Sequence, residues 1–424
     1  MEQKLKAILV GAIINNQQHF SDSMEELYHL AAACDIEVVG KIIQKLHREN
    51  SAYYIGRGKL QEVQTLIAQK AADMVIFDDE LSPSQIRNLE AILQCRIIDR
   101  TVLILDIFGQ RAKTREAKLQ VEIAQLQYML PRLVGLRAAL SRQGGGRGAR
   151  LRNRGFGETK LELDRRKILG QISRLHKELE KLVAQRQNQR KRRKKNEIPV
   201  IALVGYTNSG KSTIMNALIE MYNSQAGKHV FEKNMLFATL ETSVRSITLP
   251  DNKTFLLTDT VGFISKLPHQ LVKAFRSTLE EVAEADMLIH VVDYANHNYQ
   301  QQIEVTRATL KELGADNIPT IYAYNKTDLV PCENFNLERD CVFISAKEKT
   351  GLEQLADAIR QMAFTRYVNC ELLIPYDKGN IVAYLKDNAN INSTAYNSDG
   401  ILISMECKEA DYKRYQEYAN TGPL

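Results

Sequence analysis

The segment Gly205-Tyr206-Thr207-Asn208-Ser209-Gly210-Lys211-Ser212 sets two glycines, a lysine and a hydroxyl at the spacing that cradles a polyphosphate. It follows the apolar run Val200–Val204 and precedes an amphipathic stretch, so strand, loop and helix come in the required order. Backbone N–H groups of such a loop and of the helix N-terminus face the phosphates. Lys211 is expected to reach the β- and γ-phosphates, and Ser212 to hold Mg²⁺. Thr213 completes the nucleotide-binding set in this region.

Three downstream segments narrow the nucleotide. Asp259-Thr260-Val261-Gly262 ends an apolar run. Asp259 suits Mg²⁺, and the Gly262 N–H suits the γ-phosphate. Asn325-Lys326-Thr327-Asp328 also ends a strand-like run. The Asp328 carboxylate can accept both donors on the N1/N2 edge of guanine, an edge adenine does not offer. Lys326 can lie over the base, and Asn325 can brace the loops. Ser345-Ala346-Lys347 would add a backbone donor to the guanine oxygen. In this order and spacing the four segments point to GTP and GDP rather than adenine nucleotides. Thr239, in Phe237-Ala238-Thr239-Leu240-Glu241, fits a switch threonine that closes onto Mg²⁺ and the γ-phosphate.

The residue after Gly262 is Phe263, where many GTPases place a glutamine that orients the attacking water. A phenyl ring cannot do that, so slow intrinsic hydrolysis is expected, unless another polar switch residue takes over. The catalytic set is then Lys211, Thr239, Gly262 and Asn208. Asn208 resembles the asparagine that several glutamine-lacking GTPases use to hold K⁺, and it equally suits a plain turn position.

Positioning these loops requires an α/β architecture. Residues 196–365 alternate strands and helices as a P-loop GTPase domain, with further strands at Thr254–Leu257, Met287–Val292, Thr320–Tyr324 and Cys341–Ile344. Residues 1–110 read as an N-terminal parallel α/β subdomain. Its strands are Ala7–Ile13, Val38–Ile42, Met74–Phe77 and Arg96–Ile98, and its helices Met24–Ala33, Lys59–Lys70 and Pro83–Leu93. Gly56-Arg57-Gly58-Lys59 lacks phosphate-loop spacing and reads as a helix start. Residues 366–424 form a small C-terminal α+β domain, with strands Glu371–Ile374 and Gly400–Met405 and a helix Ala410–Ala419.

Residues 111–195 differ in character. Leu119, Ile123, Leu126, Leu130 and Leu133 keep a heptad-like spacing, and Ile168, Ile172, Leu175, Leu179 and Leu182 repeat it. Two such stripes predict a long antiparallel helical hairpin with arms of roughly 30 residues, or about 45 Å. Pro131 should bend the first arm. The loop Ser141–Gly157 carries Arg142, Arg147, Arg150, Arg152 and Arg154 among glycines, with no acid before Glu158. Guanidinium groups on a supple backbone at the end of a rigid arm suit RNA, binding phosphates and stacking on bases. A solvated tip is the plainer reading. The basic run Arg190–Lys195 reads first as a linker with nonspecific attraction for RNA, with a solvated helix end and a phosphate-binding patch as the alternatives.

Composition excludes little beyond this. The 424 residues are 44% hydrophobic and 25% charged, ordinary for a globular protein of several domains. The net charge of +6 matters less than its concentration in the tip and the run at 190–195. Six scattered cysteines lack metal spacing and read as reduced thiols. No apolar run approaches the roughly 20 residues of a membrane span, so a cytoplasmic protein is expected.

The combination of Phe237-Ala238-Thr239-Leu240, Asp259–Phe263 and Asn325–Asp328 with a preceding helical hairpin resembles the HflX GTPases. Tyr54–Lys59, Asp99–Thr101, Leu105–Phe108, Lys118–Val121, Gly157–Lys160 and Leu163–Arg166 are similar to that family's signature runs. The resemblance covers residues 1–365. It implies binding to the large ribosomal subunit, as a monomer, and GTP-dependent separation of stalled or idle ribosomes. The hairpin tip would point toward the peptidyl transferase centre. Two departures stand out. Leu151-Arg152-Asn153-Arg154 lengthens the tip, which raises a role in protecting drug-bound ribosomes, and Glu241 replaces an aspartate. Alternatives are a GTPase of rRNA or tRNA modification or of ribosome assembly, and an RNA-binding protein with GTP as a structural ligand. No transferase or redox constellation supports modification.

Overall fold

The computed structural model describes all residues except 1–3, 15–19, 144–152, 195–197, 223–242, 267–280, 331–339 and 422–424. The chain divides into two compact units. The first holds the described residues up to 190 together with 264–266; the second holds the others.

The first unit begins with a sheet whose inner strands are buried on both faces, while its edge strand Glu37–Leu46 is half-exposed. The strands are β1 Lys6–Ile14, β2 Glu37–Leu46, β3 Met74–Phe77 and β4 Arg96–Asp99. All pair in parallel in the order β2-β1-β3-β4. The connecting helices are α1 Phe20–Ala33, α2 Arg57–Lys70 and α3 Pro83–Leu93, with α4 Arg100–Arg111 after the last strand. Gly56 is the N-cap of α2, so the glycine-rich Gly56–Lys59 segment starts a helix. Ser82 and Gln85 form a capping box on α3 with Pro83 in its first turn.

Two long helices follow, α5 Arg115–Gln143 and α6 Asn153–Lys194. Leu119, Ile123 and Leu175 pack in one core, with Leu126, Leu179 and Leu182 against it. Arg115 pairs with Glu178 at 2.8 Å, and Gln171 donates to Glu122 at 3.1 Å. Partners that descend along one helix as they climb the other make the hairpin antiparallel, as the stripes predict. The loop expected at Ser141–Gly157 is trimmed at both ends, because helix resumes at Asn153. The basic run is helical to Lys194, the end of a helix, as the second of its readings had it, and not a linker. Lysine and arginine are good helix formers. Pro131 lies inside α5.

A buried polar knot roots this arm. Asp99 caps α4 through Val102 N–H at 3.1 Å and accepts Leu81 N–H at 3.0 Å and the Tyr128 hydroxyl of α5. Arg132, one turn on, donates to the Leu81 carbonyl at 3.0 Å and stacks on the Tyr128 ring at 3.2 Å.

The second unit carries β5 Val200–Val204, α7 Lys211–Tyr222, β6 Ser243–Thr248, β7 Thr254–Asp259, β8 Met287–Asp293, β9 Thr320–Asn325 and β10 Cys341–Phe343. The sheet order is β10-β9-β8-β5-β7-β6, parallel except for β6. The sequence reading overlooked β6, a polar edge strand whose buried residues are few. Its core gathers Ile201, Leu203, Leu218, Phe255, Ile289 and Ile359.

The same unit ends in β11 Tyr367–Ile374, β12 Asn390–Asn397, β13 Gly400–Lys408 and β14 Ala419–Thr421, antiparallel in the order β12-β13-β11-β14. The helix expected at Ala410–Ala419 is instead Glu409–Arg414, and Ala419 opens β14. Pairing with β11 overrides local helix propensity there. The turn between β6 and β7 holds this sheet: buried Lys253 reaches Glu406 at 2.8 Å, and Asn252 donates to the Ala389 carbonyl at 3.0 Å.

Candidate functional site

The loop Gly205–Ser212 joins the end of β5 to the start of α7. Its backbone admits little substitution. Gly205 has φ +145, and a Cβ there would lie 2.2 Å from the Val291 carbonyl oxygen; at Gly210, φ +97, it would lie 2.2 Å from Asn325 Nδ2. Asn208 takes a left-handed φ of 61 and is exposed. Asparagine tolerates that conformation better than most residues, so its turn role is visible here.

Lys211 is buried, and its ammonium donates to the carbonyls of Gly205 at 3.1 Å and Tyr206 at 2.7 Å. Burial pulls its pKa down to about 8, against the opposing pull of Asp259. The Ser212 hydroxyl donates to Asp259 Oδ2 at 2.6 Å. Asp259 is the last residue of β7 and fully buried. A hydroxyl and a carboxylate this close form a hard oxygen donor set, which fits Mg²⁺. Of the proposed metal ligands, Thr239 lies outside the described residues.

Gly262 closes on the loop from the other side. A Cβ on it would lie 2.7 Å from the Thr207 Cα and 3.0 Å from Lys211 Nζ. Phe263 continues this approach as a short parallel bridge to Tyr206. Its N–H donates to the Gly205 carbonyl at 3.1 Å, and its own carbonyl accepts Thr207 N–H at 2.8 Å. The ring is buried. This backbone pairing was not legible in the sequence, where Phe263 registers only as the place of a missing glutamine.

The two segments expected to read the base, Asn325–Asp328 and Ser345–Lys347, meet each other and the phosphate loop. Asn325 donates to the Ser209 carbonyl at 2.9 Å and accepts Ala346 N–H at 3.0 Å. Ser345 donates to Asp328 Oδ1 at 2.6 Å. Lys326 has φ 67, and its ammonium meets Asp293 Oδ2 at 2.6 Å. Asp293 was missed, although an acid ending the apolar run of β8 was its signal. The side chain of Lys347 is exposed. Thr213 stands in the first turn of α7, half-buried. So Gly205–Thr213, Asp259, Gly262, Asn325, Lys326, Asp328 and Ser345–Lys347 are all borne by one unit.

The tip arginines stand apart from these. Arg147, Arg150 and Arg152 lie outside the described residues; Arg142 and Arg154 belong to the ends of α5 and α6, with side chains outside the description.

Comparison with known proteins adds the family. Residues 21–109 match the model described as GTP-binding GTPase N-terminal, and residues 111–193 that of GTP-binding GTPase Middle Region. Residues 200–326 match 50S ribosome-binding GTPase. The GTPase HflX of Caldanaerobacter subterraneus is 46% identical over 403 residues, 95% of this chain and 91% of that protein. Those of Alkalihalophilus pseudofirmus and Escherichia coli are 43% and 36% identical, covering 92% and 96% of this chain and 90% and 95% of theirs. With relatives this similar along nearly its whole length, and family models matched from residue 21 to residue 326, this chain belongs to the HflX GTPases.

Proposed function

We propose that this GTPase binds the large ribosomal subunit and uses GTP to separate stalled or idle ribosomes in the cytoplasm, acting as a monomer. The observation that carries this reading is the rooted α5–α6 arm: a paired-helix lever whose free end holds the arginine-rich segment. Rigid helices can deliver guanidinium groups deep into RNA, and the tip is directed toward the peptidyl transferase centre. The match to 50S ribosome-binding GTPases and the HflX relatives support the same partner.

In the nucleotide site, Lys211 and the loop N–H groups bind the phosphates; Ser212, Asp259 and Thr239 would hold Mg²⁺, and Asn208 would help hold K⁺. When bound, these cations would supply charge neutralisation between the β- and γ-phosphates. Asp328 and Ala346 read guanine. Phe263 leaves no water-orienting amide at its position, so hydrolysis is slow until the large subunit accelerates it.

Gradient co-sedimentation with ribosomal subunits, with and without a nonhydrolysable GTP analogue, tests the reading. Binding to the large subunit only with the GTP analogue, and a loss of 70S particles, is the expected result. Association with precursor particles alone would point to assembly instead. The lengthened tip is the basis for a protective role. Deleting residues 151–154 should leave splitting intact and raise susceptibility to lincosamides or phenicols; unchanged susceptibility would remove that role.

A further inference from the structure

Two side-chain hydroxyls of the phosphate loop, those of Thr207 and Ser209, are buried and meet no hydrogen-bond partner among the described residues. A polar group held out of water without a partner costs free energy, and such groups in native proteins mark sites of strain or catalysis. Ser209 Oγ lies toward the strand end of the loop, 3.3 Å from the place a Cβ would take on Gly205.

Thr207 lies against the other side. Its methyl carbon Cγ2 is 2.8 Å from the place a Cβ would take on Gly262, and Lys211 Nζ is 3.0 Å from the same point. The hydroxyl is borne by the same carbon as that methyl. The backbone fixes the residue, since Thr207 N–H donates to the Phe263 carbonyl at 2.8 Å. Thr207, Gly262 and Lys211 therefore close on one spot, all within the second unit. Gly262 and Lys211 are the residues expected at the γ-phosphate. Phe263, where a glutamine would hold the attacking water, has only a buried ring to offer. A threonine hydroxyl brings one donor and two acceptor lone pairs.

We infer, on the reading of Gly205–Ser212 as the phosphate loop, that Thr207 is a catalytic residue for GTP hydrolysis, its hydroxyl holding the attacking water beside the γ-phosphate. The hydroxyl accepts a hydrogen bond from the water and donates one to a γ-phosphate oxygen. The water oxygen bonds to the γ-phosphorus as the bond to the β–γ bridging oxygen breaks, and GDP leaves with that electron pair. One water proton ends on the inorganic phosphate and the other in solvent; Thr207 neither gains nor loses one. The diphosphate product lacks the γ-phosphate, so the contact acts on turnover and not on GDP binding.

The test uses the full chain, measuring kcat at saturating GTP, the GDP dissociation constant and the melting temperature without nucleotide. Thr207→Val keeps the shape and removes the hydroxyl; Thr207→Ser keeps the hydroxyl and removes the methyl. Thr207→Val should lower kcat about tenfold or more, the scale of lost positioning, with GDP affinity within about twofold. It should melt no lower than the parent, because the hydroxyl it removes has no partner among the described residues. Thr207→Ser should keep most of the rate. An unchanged kcat in Thr207→Val overturns the inference, as does a rate that follows the methyl, kept in Thr207→Val and lost in Thr207→Ser. So does a Thr207→Val chain that melts lower and loses GDP affinity in step with rate, which would make the residue structural. Lys211→Ala is the control for the loop itself. Undiminished GDP affinity there would refute the phosphate-loop reading and the inference with it, whereas failure at Thr207 alone leaves the loop in place.

Discussion

The side-chain amide of Asn325 donates to the Ser209 carbonyl at 2.9 Å while its oxygen accepts Ala346 N–H at 3.0 Å. One buried amide therefore ties the phosphate loop to the segments Asn325–Asp328 and Ser345–Lys347. Asn325→Ala would leave a buried carbonyl and N–H without this partner, at about 1–3 kcal/mol each. GDP affinity should fall about tenfold or more, and thermal stability with it. Calorimetric titration together with a melting curve checks this.

The Ser345 hydroxyl donates to Asp328 Oδ1 at 2.6 Å, and the proposed role of this carboxylate is to read the base. In Asp328→Asn, one acceptor oxygen becomes a donor. GTP affinity should drop by about 1.5–3 kcal/mol, the scale of a charge-assisted hydrogen bond, and preference should shift toward xanthosine nucleotides. Competition among GTP, XTP and ATP measures it, and a mutant that still prefers GTP would dismiss the role of this loop.

Burial holds the Lys211 ammonium at about 8 instead of its ordinary 10.5. A polyphosphate beside it restores the charge. Below pH 8 the lysine is protonated with or without nucleotide, so pH has no effect through this group. Between about 8 and 10.5 binding must take up a proton, and affinity should fall as pH rises. Titrations with GDP at pH 9 in two buffers of different ionisation heat should show proton uptake, and titrations at pH 7 none through this lysine.

Asn208 is exposed, in a left-handed turn at the rim of the phosphate loop. Its amide oxygen can help hold a monovalent cation beside the charge that develops between the β- and γ-phosphates. Hydrolysis should be faster in KCl than in NaCl, with the difference abolished in Asn208→Ala. Equal rates for the parent protein in both salts would leave Asn208 as a turn residue only.

The strand–loop–helix setting of the phosphate loop and the parallel sheets were legible in the sequence because local rules write them. An apolar strand, a glycine spacing and a helix start depend on neighbours a few residues away. The hairpin stripe was legible for the same reason, since its heptad period needs only one partner of like period. Other features depend on pairing at a distance. The polar strand β6 exists because it has β7 to pair with. Ala419 left its expected helix because β11 offered a ladder. Asp293 became a partner of Lys326 only once β8 and β9 lay side by side. Arg100, at the start of α4, gave no sign in its own neighbourhood that it would meet Ser265, 165 positions away. Charges so far apart in the chain interact only after folding has removed the water between them, and only the tertiary structure decides which of them meet.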